Sequence, residues 1–127
     1  MIARQIRLSN QAKEQLARVK AKTGIQNWNV LCRWALCLSL AEGTIPPDFD
    51  IPADSNVEMS WEVFGGEYQQ VYEALVRQQC LQDGLPDDSA TLNRYFRAHL
   101  HRGVSYLASS NFIKSTSDLL TQAVRAE

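Results

Sequence analysis

The amino-acid sequence predicts a mainly α-helical fold in one compact domain over residues 1–127. The chain has an ordinary single-domain length, and 45% of its residues are apolar, which is enough to form a core. Apolar residues recur at helical spacing in five segments bounded by capping residues, glycines or prolines, whereas two short stretches alternate as strands do. The expected order is a short strand, two helices, a second short strand and two to three further helices.

A strand and a helix are expected at the start of the chain. Residues 2–8 alternate in polarity as a strand does. Ser9 then caps a helix that ends at Gly24, a residue type that readily closes a helix. The strand has Ile2, Ile6 and Leu8 on its apolar face and Ala3, Gln5 and Arg7 on its outward face, and the helix turns Ala12, Leu16 and Val19 inward.

A second helix, capped by Asn27 and covering about residues 28–42, has almost no polar face. Helices that are apolar on all sides are usually buried on several sides. In so small a chain, this pattern predicts an interface with another subunit. The expected interface residues are Trp28, Leu31, Trp34 and Leu38.

The middle of the chain is expected to be a connector followed by a strand. Residues 43–56 contain three of the four prolines, which favours an extended segment. Residues 57–63 alternate apolar and polar side chains and fit a strand, after which the pair Gly65-Gly66 indicates a sharp strand-to-helix turn. The inward face of this strand would consist of Val57, Met59, Trp61 and Val63.

Helices are also expected in the second half of the chain. They cover about residues 67–82, residues 90–108 with Asp88 or Ser89 as the cap, and residues 117–125. The expected inward stripes are Tyr68, Val71, Tyr72, Leu75, Val76 and Gln79 in the first, and Leu92, Tyr95, Phe96, His99, Leu100, Gly103, Val104 and Leu107 in the second.

Several classes of function have no support in the sequence. No stretch approaches the ~20 apolar residues of a membrane span, and the N-terminus lacks a signal-peptide core, so we expect a cytoplasmic protein. The three cysteines form no C-x-x-C pair of the kind that binds a metal. His99 and His101 are two residues apart, so on a helix they point in different directions and cannot hold a metal together. We therefore expect neither catalysis nor a metal or cofactor, and we expect Cys32, Cys37 and Cys80 to be packed thiols.

Charge is distributed unevenly along a chain whose formal net charge is −1. Residues 1–41 contain seven bases and one acid, residues 42–88 contain eleven acids and one base, and residues 89–127 contain five bases and two acids. This asymmetry indicates two surfaces for two partners, the basic one suited to a polyanion such as nucleic acid. Alternatively, the acidic middle segment neutralises the basic head within an oligomer.

Basic residues of the first helix are the candidate DNA contacts. Lysine and arginine are the usual ligands of phosphate, and acids are almost absent from this segment. Glu14 could still pair with Arg18 one turn away. A stripe on the helix over residues 90–108 could either bind phosphate or pair with the acidic segment. The candidates are Lys13, Arg18, Lys20 and Lys22 on the first helix, and Arg94, Arg97 and His101 on the later one.

The order of strand, helix, tight link and helix over residues 1–42 resembles the start of the ribbon-helix-helix family. In that family, strands from two chains pair into a ribbon that enters the DNA major groove. Gln5 and Arg7 would then face the bases, since glutamine can read adenine and arginine can read guanine. The alternative is a strand that serves assembly alone, with both side chains merely solvated.

Two motifs resemble the family of the DNA sulfur modification protein DndE. They are WEVFGGEY at 61–68, continued by VYEAL at 71–75, and AHLHRGV at 98–104. With the basic start, the resemblance extends over nearly the whole chain. It implies a tetrameric helical protein of the bacterial phosphorothioation system that binds duplex DNA, nicked duplex especially, while other subunits carry the chemistry. The basic residues 13, 18, 20 and 22 fall where the family's basic surface lies.

The leading hypothesis is therefore a non-catalytic DNA-binding subunit of the sulfur modification complex. It would contact phosphates through its basic head and face the other subunits of the complex with its acidic segment. Three alternatives remain open at this point. They are a structural adaptor that holds the enzymes together, a ribbon-helix-helix repressor, and a DNA-nicking enzyme, although the acids that a nuclease metal site requires are separated in sequence from the basic head.

Overall fold

The computed structural model describes residues 1–47 and 50–109, and it places two short strands and five α-helices in that part of the chain. This is the mainly helical fold that the sequence predicts. The helix expected over residues 117–125 lies outside the described residues. The elements are β1 (Gln5–Arg7), α1 (Asn10–Thr23), α2 (Trp28–Ala41), β2 (Glu58–Ser60), α3 (Trp61–Gly65), a 3₁₀ turn (Gly66–Tyr68), α4 (Gln69–Gln82) and α5 (Ser89–Ala108).

Helix α5 is the centre of the core, and its predicted inward stripe is buried throughout. α2 packs along α5, and α1 covers another part of it. The helices pack tightly at Gly103, where an added Cβ would lie 1.7 Å from the carbonyl oxygen of Ala35. Only a glycine at this position lets the backbones of α2 and α5 come into contact.

The ends of the helices follow the capping residues that the sequence predicts. The Ser9 hydroxyl accepts a hydrogen bond from the N–H of Ala12 at 3.1 Å, and an Asp88 carboxylate oxygen accepts one from the N–H of Thr91 at 2.9 Å. Gly24 closes α1 in the left-handed conformation, with φ of 76°. Asn27 precedes α2 as expected, but its side chain makes no capping hydrogen bond.

The strands β1 and β2 pair with each other in antiparallel orientation, with Ile6 opposite Met59 and both side chains buried. The partner of β1 is therefore in the same chain, and the two-chain ribbon expected from the ribbon-helix-helix resemblance is not formed at this edge. Ala3 was predicted to face outward and is instead buried, because the strand begins only at Gln5.

The strand predicted over residues 57–63 is wrong from Trp61 onward, because Ser60 caps a helix. The Ser60 hydroxyl accepts a hydrogen bond from the N–H of Val63 at 3.1 Å. Val63, expected to face inward, is 53% exposed. The strand-to-helix turn lies at Ser60, and the pair Gly65-Gly66 instead joins two helical segments.

An aromatic cluster holds α3 on the core. The ring of Trp61 lies 5.3 Å from that of Phe64 and 5.4 Å from that of Phe96 on α5. Phe64 in turn contacts Tyr72 of α4, with ring centroids 5.5 Å apart. These contacts bury Trp61 in α3. Its burial was predicted, although the sequence placed it in a strand.

Helix α4 and the 3₁₀ turn before it turn much of the predicted inward stripe toward solvent. Its fully buried residues are Val76 and Cys80. Tyr68, Val71 and Leu75 are 56%, 53% and 44% exposed. The helical period located an apolar stripe correctly, but the prediction that this stripe faces the core is wrong for these three residues.

Candidate nucleic-acid interface

The four basic residues of α1 lie on two opposite flanks of the helix. The buried stripe of α1 packs on the core. At 3.6 residues per turn, Lys13 and Lys20 fall roughly 85° to one side of that stripe, and Arg18 and Lys22 fall roughly 105° to the other. The predicted DNA contacts are therefore two separate pairs, and we call these the Lys13–Lys20 flank and the Arg18–Lys22 flank.

An open groove of about 500 Å³ lies between α1, β2 and the start of α2, on the side of the Lys13–Lys20 flank; Lys13 lines it, and Lys20 lies next to its Trp28. The Lys13 ammonium donates a hydrogen bond to the side-chain oxygen of Asn56. The Lys20 ammonium lies 3.9 Å from the centre of the Trp28 ring, a cation–π contact. Four carboxamide side chains line this groove: Gln26, Asn27, Asn29 and Asn56.

The positive charge of this groove is not neutralised by the acid that lines it. Glu58 is the acidic residue of the lining, and its carboxylate pairs with Arg7 at 2.9 Å. The contacts of Lys13 and Lys20 are with an amide and an indole, which carry no charge. The groove therefore combines cationic groups with hydrogen-bonding amides, a composition that suits a phosphodiester backbone.

The Arg18–Lys22 flank has different surroundings. Arg18 and Lys22 are exposed, and no ion pair joins Arg18 to Glu14 among the described residues. Gln11 and Gln15 share this side of α1 and line a second cleft, of about 490 Å³, between α1, the connector and α5. Asp54 also lines that cleft.

The candidate base-reading residues lie on the outer side of the small sheet. Gln5 and Arg7 are both exposed. The Arg7 guanidinium is engaged with Glu58 at 2.9 Å and with the carbonyl of Ser55 at 3.4 Å. Base reading by Arg7 would require this ion pair to open.

The second basic stripe, on α5, holds the acidic connector. Arg97 donates to the carbonyl oxygens of Arg7 at 2.7 Å, Ile51 at 3.2 Å and Pro52 at 3.3 Å. Arg94 pairs with Asp50 at 3.4 Å. The sequence left two interpretations of this stripe open, phosphate binding and pairing with the acidic segment. The contacts favour the second, because they attach the connector to α5.

His101 and His99 are buried parts of the scaffold. His101 Nε2 accepts the N–H of Ser9 at 3.2 Å, and its Nδ1 lies 2.9 Å from the carbonyl of Arg97. Burial lowers the pKa of His101 to about 4. Burial, with Arg102 nearby, likewise lowers the pKa of His99 to about 4. Both imidazoles are therefore neutral near pH 7.

Sequence reasoning missed the structural role of Arg102, which ties the end of α2 to α5. Its guanidinium donates to the hydroxyl of Ser39 at 2.9 Å, to the carbonyl of Ser39 at 2.8 Å, and to the hydroxyl of Thr44 at 2.8 Å. The Ser39 hydroxyl also lies 2.7 Å from His99 Nδ1. In the sequence, Arg102 is a single arginine among the residues that α5 buries, and this pattern does not indicate a hydrogen-bond network.

No set of three or more histidine, cysteine or acidic side chains is placed to hold a metal ion within residues 1–47 and 50–109. None of the helices in these ranges is long and apolar enough to cross a membrane. Cys32 and Cys80 are buried, and burial raises the pKa of both thiols, whereas Cys37 is exposed at the surface of α2. The expectation of packed thiols is thus confirmed for two of the three cysteines.

The residues expected to form an oligomer interface on α2 are partly buried within their own chain. Leu31 is fully buried in the core of its own chain and leaves no surface for another subunit to cover. Trp28, Trp34 and Leu38 are half-buried and pack against the same core. These three retain partial surface that another molecule could cover.

The fold and the basic flanks of α1 define a small helical protein with a surface suited to phosphate. Residues 5–115 match the family described as DNA sulphur modification protein DndE. The match spans most of the chain, and the chain belongs to this family. No match is found among curated proteins.

Two solved structures share the fold. The crystal structure of DndE from Escherichia coli B7A, described as involved in DNA phosphorothioation modification, has a TM-score of 0.69 and 24% identity, and the alignment covers 84% of this chain and 98% of that chain. The crystal structure of a DndE G21/24K mutant, described as involved in DNA phosphorothioation, has a TM-score of 0.62 and 19% identity, with coverage of 84% and 99%. At these identities the likeness establishes the fold alone.

Proposed function

We propose that this protein is a non-catalytic, cytoplasmic DNA-binding subunit of the bacterial phosphorothioation system. Membership of the DNA sulphur modification family supports the system, and the basic surface of α1 supports the role. The observation that carries the proposal is that the ion pairs joining described residues involve none of Lys13, Arg18 and Lys20. Positive charge that the fold leaves without an acid is suited to the DNA backbone.

This mode of binding makes affinity depend on salt and hardly on sequence. Each phosphate contact contributes about 0.9 to the slope of log affinity against log salt concentration. Four such contacts, from one chain or shared between copies, therefore predict a loss of roughly a hundredfold between 50 and 200 mM salt. Contacts to phosphate position a protein without reading bases, so intact and nicked duplexes of any sequence should bind.

The test is a fluorescence anisotropy titration with intact, nicked and single-stranded DNA at several salt concentrations. Lys20→Glu/Lys22→Glu should lose binding, whereas Arg77→Glu, on α4 within the acidic segment, should retain most of it. Affinity that hardly changes with salt, or equal losses in the two variants, would contradict binding through α1. The same comparison with nicked DNA decides whether a nick is preferred.

We further propose that the protein is a homo-oligomer, a tetramer by resemblance to its family. The exposed stripe of Tyr68, Val71 and Leu75 supports this, because apolar side chains at helical spacing favour contact with another surface. The charges beside it are neutralised within the chain, since Glu73 pairs with the N-terminal amine at 2.9 Å and Arg77 pairs with Asp87 at 3.3 Å. Two copies could therefore meet along this stripe.

A second candidate function is an adaptor that joins the enzymes of the system. The observation that favours it is the exposure of Glu62 and Glu67 near the α4 stripe, a surface that would suit a basic protein partner. In a host lacking its own copy, Lys20→Glu/Lys22→Glu would then preserve DNA phosphorothioation, whereas Glu62→Lys/Glu67→Lys would abolish it. The DNA-binding proposal expects the opposite result from the lysine variant.

A further inference from the structure

We infer that DNA lies against one flank of α1 only, in the amide-lined groove of the Lys13–Lys20 flank. The groove would hold the sugar–phosphate backbone of one strand, and the Arg18–Lys22 flank would not contact it. This inference rests on the proposed DNA-binding function and specifies its site. Treating the four basic residues as one patch, as the sequence alone suggests, misses this division.

The geometry of α1 disfavours a strand that crosses both flanks. The two pairs lie on opposite sides of α1, and the exposed outer face between them carries Glu14, an acid that a phosphate backbone would have to pass. Lys13 and Lys20 are two turns apart, or about 10.5 Å along the helix axis. Both lysines lie on the same side of α1, so a strand that runs along this side of the helix passes them in turn. A single backbone segment can thus reach both lysines.

The side chains around the groove suit a nucleotide backbone. Asn27 makes no side-chain hydrogen bond among the described residues, so its amide is available to donate to a phosphate oxygen or to pair with a base edge. Trp28 is half-buried and lines the groove, and the Lys20 ammonium over its ring places a positive charge beside any sugar that packs against it. The acid in the lining, Glu58, is already paired with Arg7.

The cleft beside the Arg18–Lys22 flank is less suited to an anion. Asp54 lines it, and the carboxylate of Asp54 accepts the N–H of Asn10 at 2.8 Å, a contact that leaves its negative charge in place. The Arg102 guanidinium in that cleft is already occupied by Ser39 and Thr44. A backbone placed there would approach an unneutralised carboxylate.

The test compares two variants with the same change in charge, Lys13→Gln/Lys20→Gln and Arg18→Gln/Lys22→Gln, in salt-dependent DNA titrations. The first should lower affinity at least tenfold and reduce the salt slope by about 2, one phosphate contact per lysine. The second should change affinity less than about threefold and leave the slope intact. Thermal unfolding of each variant controls for folding, and Lys13→Arg/Lys20→Arg should restore binding.

A third variant tests the groove without any change in charge. Asn27→Ala should weaken binding severalfold at an unchanged salt slope and an unchanged melting temperature, whereas Gln78→Ala on α4 should have no effect. Unaltered affinity in Asn27→Ala, or a larger loss from the Arg18–Lys22 pair, overturns the placement while DNA binding stands. If the unaltered protein binds no DNA at low salt, the proposed function fails together with the placement.

Discussion

Gly103 controls how closely α2 and α5 can pack. An added methyl group would lie 1.7 Å from the carbonyl oxygen of Ala35, and backbone atoms cannot yield as a flexible side chain does. We expect Gly103→Ala to separate the two helices and to lower the free energy of unfolding by about 3 kcal/mol or more, measured by urea denaturation. Ser105→Ala, an exposed change on the same helix, should stay within about 0.5 kcal/mol. Equal midpoints for the two variants would show that the helices can adjust.

His99 and His101 make stability depend on pH, because burial disfavours their charged forms. The pKa of each is lowered from 6.5 to about 4 in the folded protein. In the unfolded chain both titrate near 6.5. Between these values the unfolded chain binds more protons, so the free energy of unfolding falls as the pH drops from about 6.5 toward 4. Above this window the contribution is fully present.

The prediction is a loss of roughly 2 kcal/mol per histidine between pH 7 and pH 5. His99→Phe preserves a ring beside Tyr95, whose centroid lies 4.5 Å from that of His99, but cannot take up a proton. This variant should therefore show about half of the loss, in urea denaturation at pH 7, 6 and 5. The same pH dependence in the variant and the unaltered protein would exclude His99 as a source of it.

Among the helices and strands, the sequence predicts those that are fixed by residues at their own ends. α1 and α5 were predicted with their caps and buried faces, because Ser9, Gly24 and Asp88 act within their own turns. The sequence did not predict α3, because the alternating pattern of a strand continues through Trp61. The hydroxyl of Ser60 instead caps a helix that begins at Trp61. The outward face of α4 could not be predicted, because a helical period does not state which side meets the core.

The groove also lay beyond sequence reasoning, since three separate segments build it. Lys13 comes from α1, Trp28 from the start of α2, and Asn56 from the approach to β2. The sequence identified the basic residues but could not divide them between two flanks, because that division depends on which neighbours each flank receives. The residues that carry charge were therefore predictable, and their surroundings were not.

Arg97 is one of several side chains that hold the connector, together with Arg7, Arg94 and Arg102. Arg97 binds carbonyl oxygens of Arg7, Ile51 and Pro52, which do not depend on the identity of those residues. We expect Arg97→Met to release the segment and to speed proteolytic cleavage within residues 50–56, with a loss of about 1–3 kcal/mol in stability. Limited proteolysis with mass mapping measures this, and Arg4→Met is the control, since Arg4 is exposed. Equal cleavage rates would show that the connector is held elsewhere.

In the folded molecule, the basic side chains fall into two groups: those that bind the acidic segment of the same chain, and those that do not. Arg7, Arg94 and Arg97 are used to join the basic and acidic segments of the same chain, through Glu58, Asp50 and the connector carbonyls. The alternative that acids neutralise the basic head is thus partly realised within one chain. The lysines beside the groove are not part of this internal pairing, and so the groove remains available for an external polyanion.

The stripe of Tyr68, Val71 and Leu75 adds an exposed apolar surface to these two groups of charged residues. Because Val71 and Leu75 are about half exposed, Val71→Ser/Leu75→Ser should leave the stability of a single chain within about 1 kcal/mol. The variant should nevertheless lower the molar mass measured by sedimentation equilibrium, since association would lose its apolar contact. Leu81→Ser is the matched control, because Leu81 is 53% exposed on another side of α4. If the unaltered protein sediments as a monomer, self-association through this stripe is wrong, and the stripe then favours the adaptor, whose partner would be another protein.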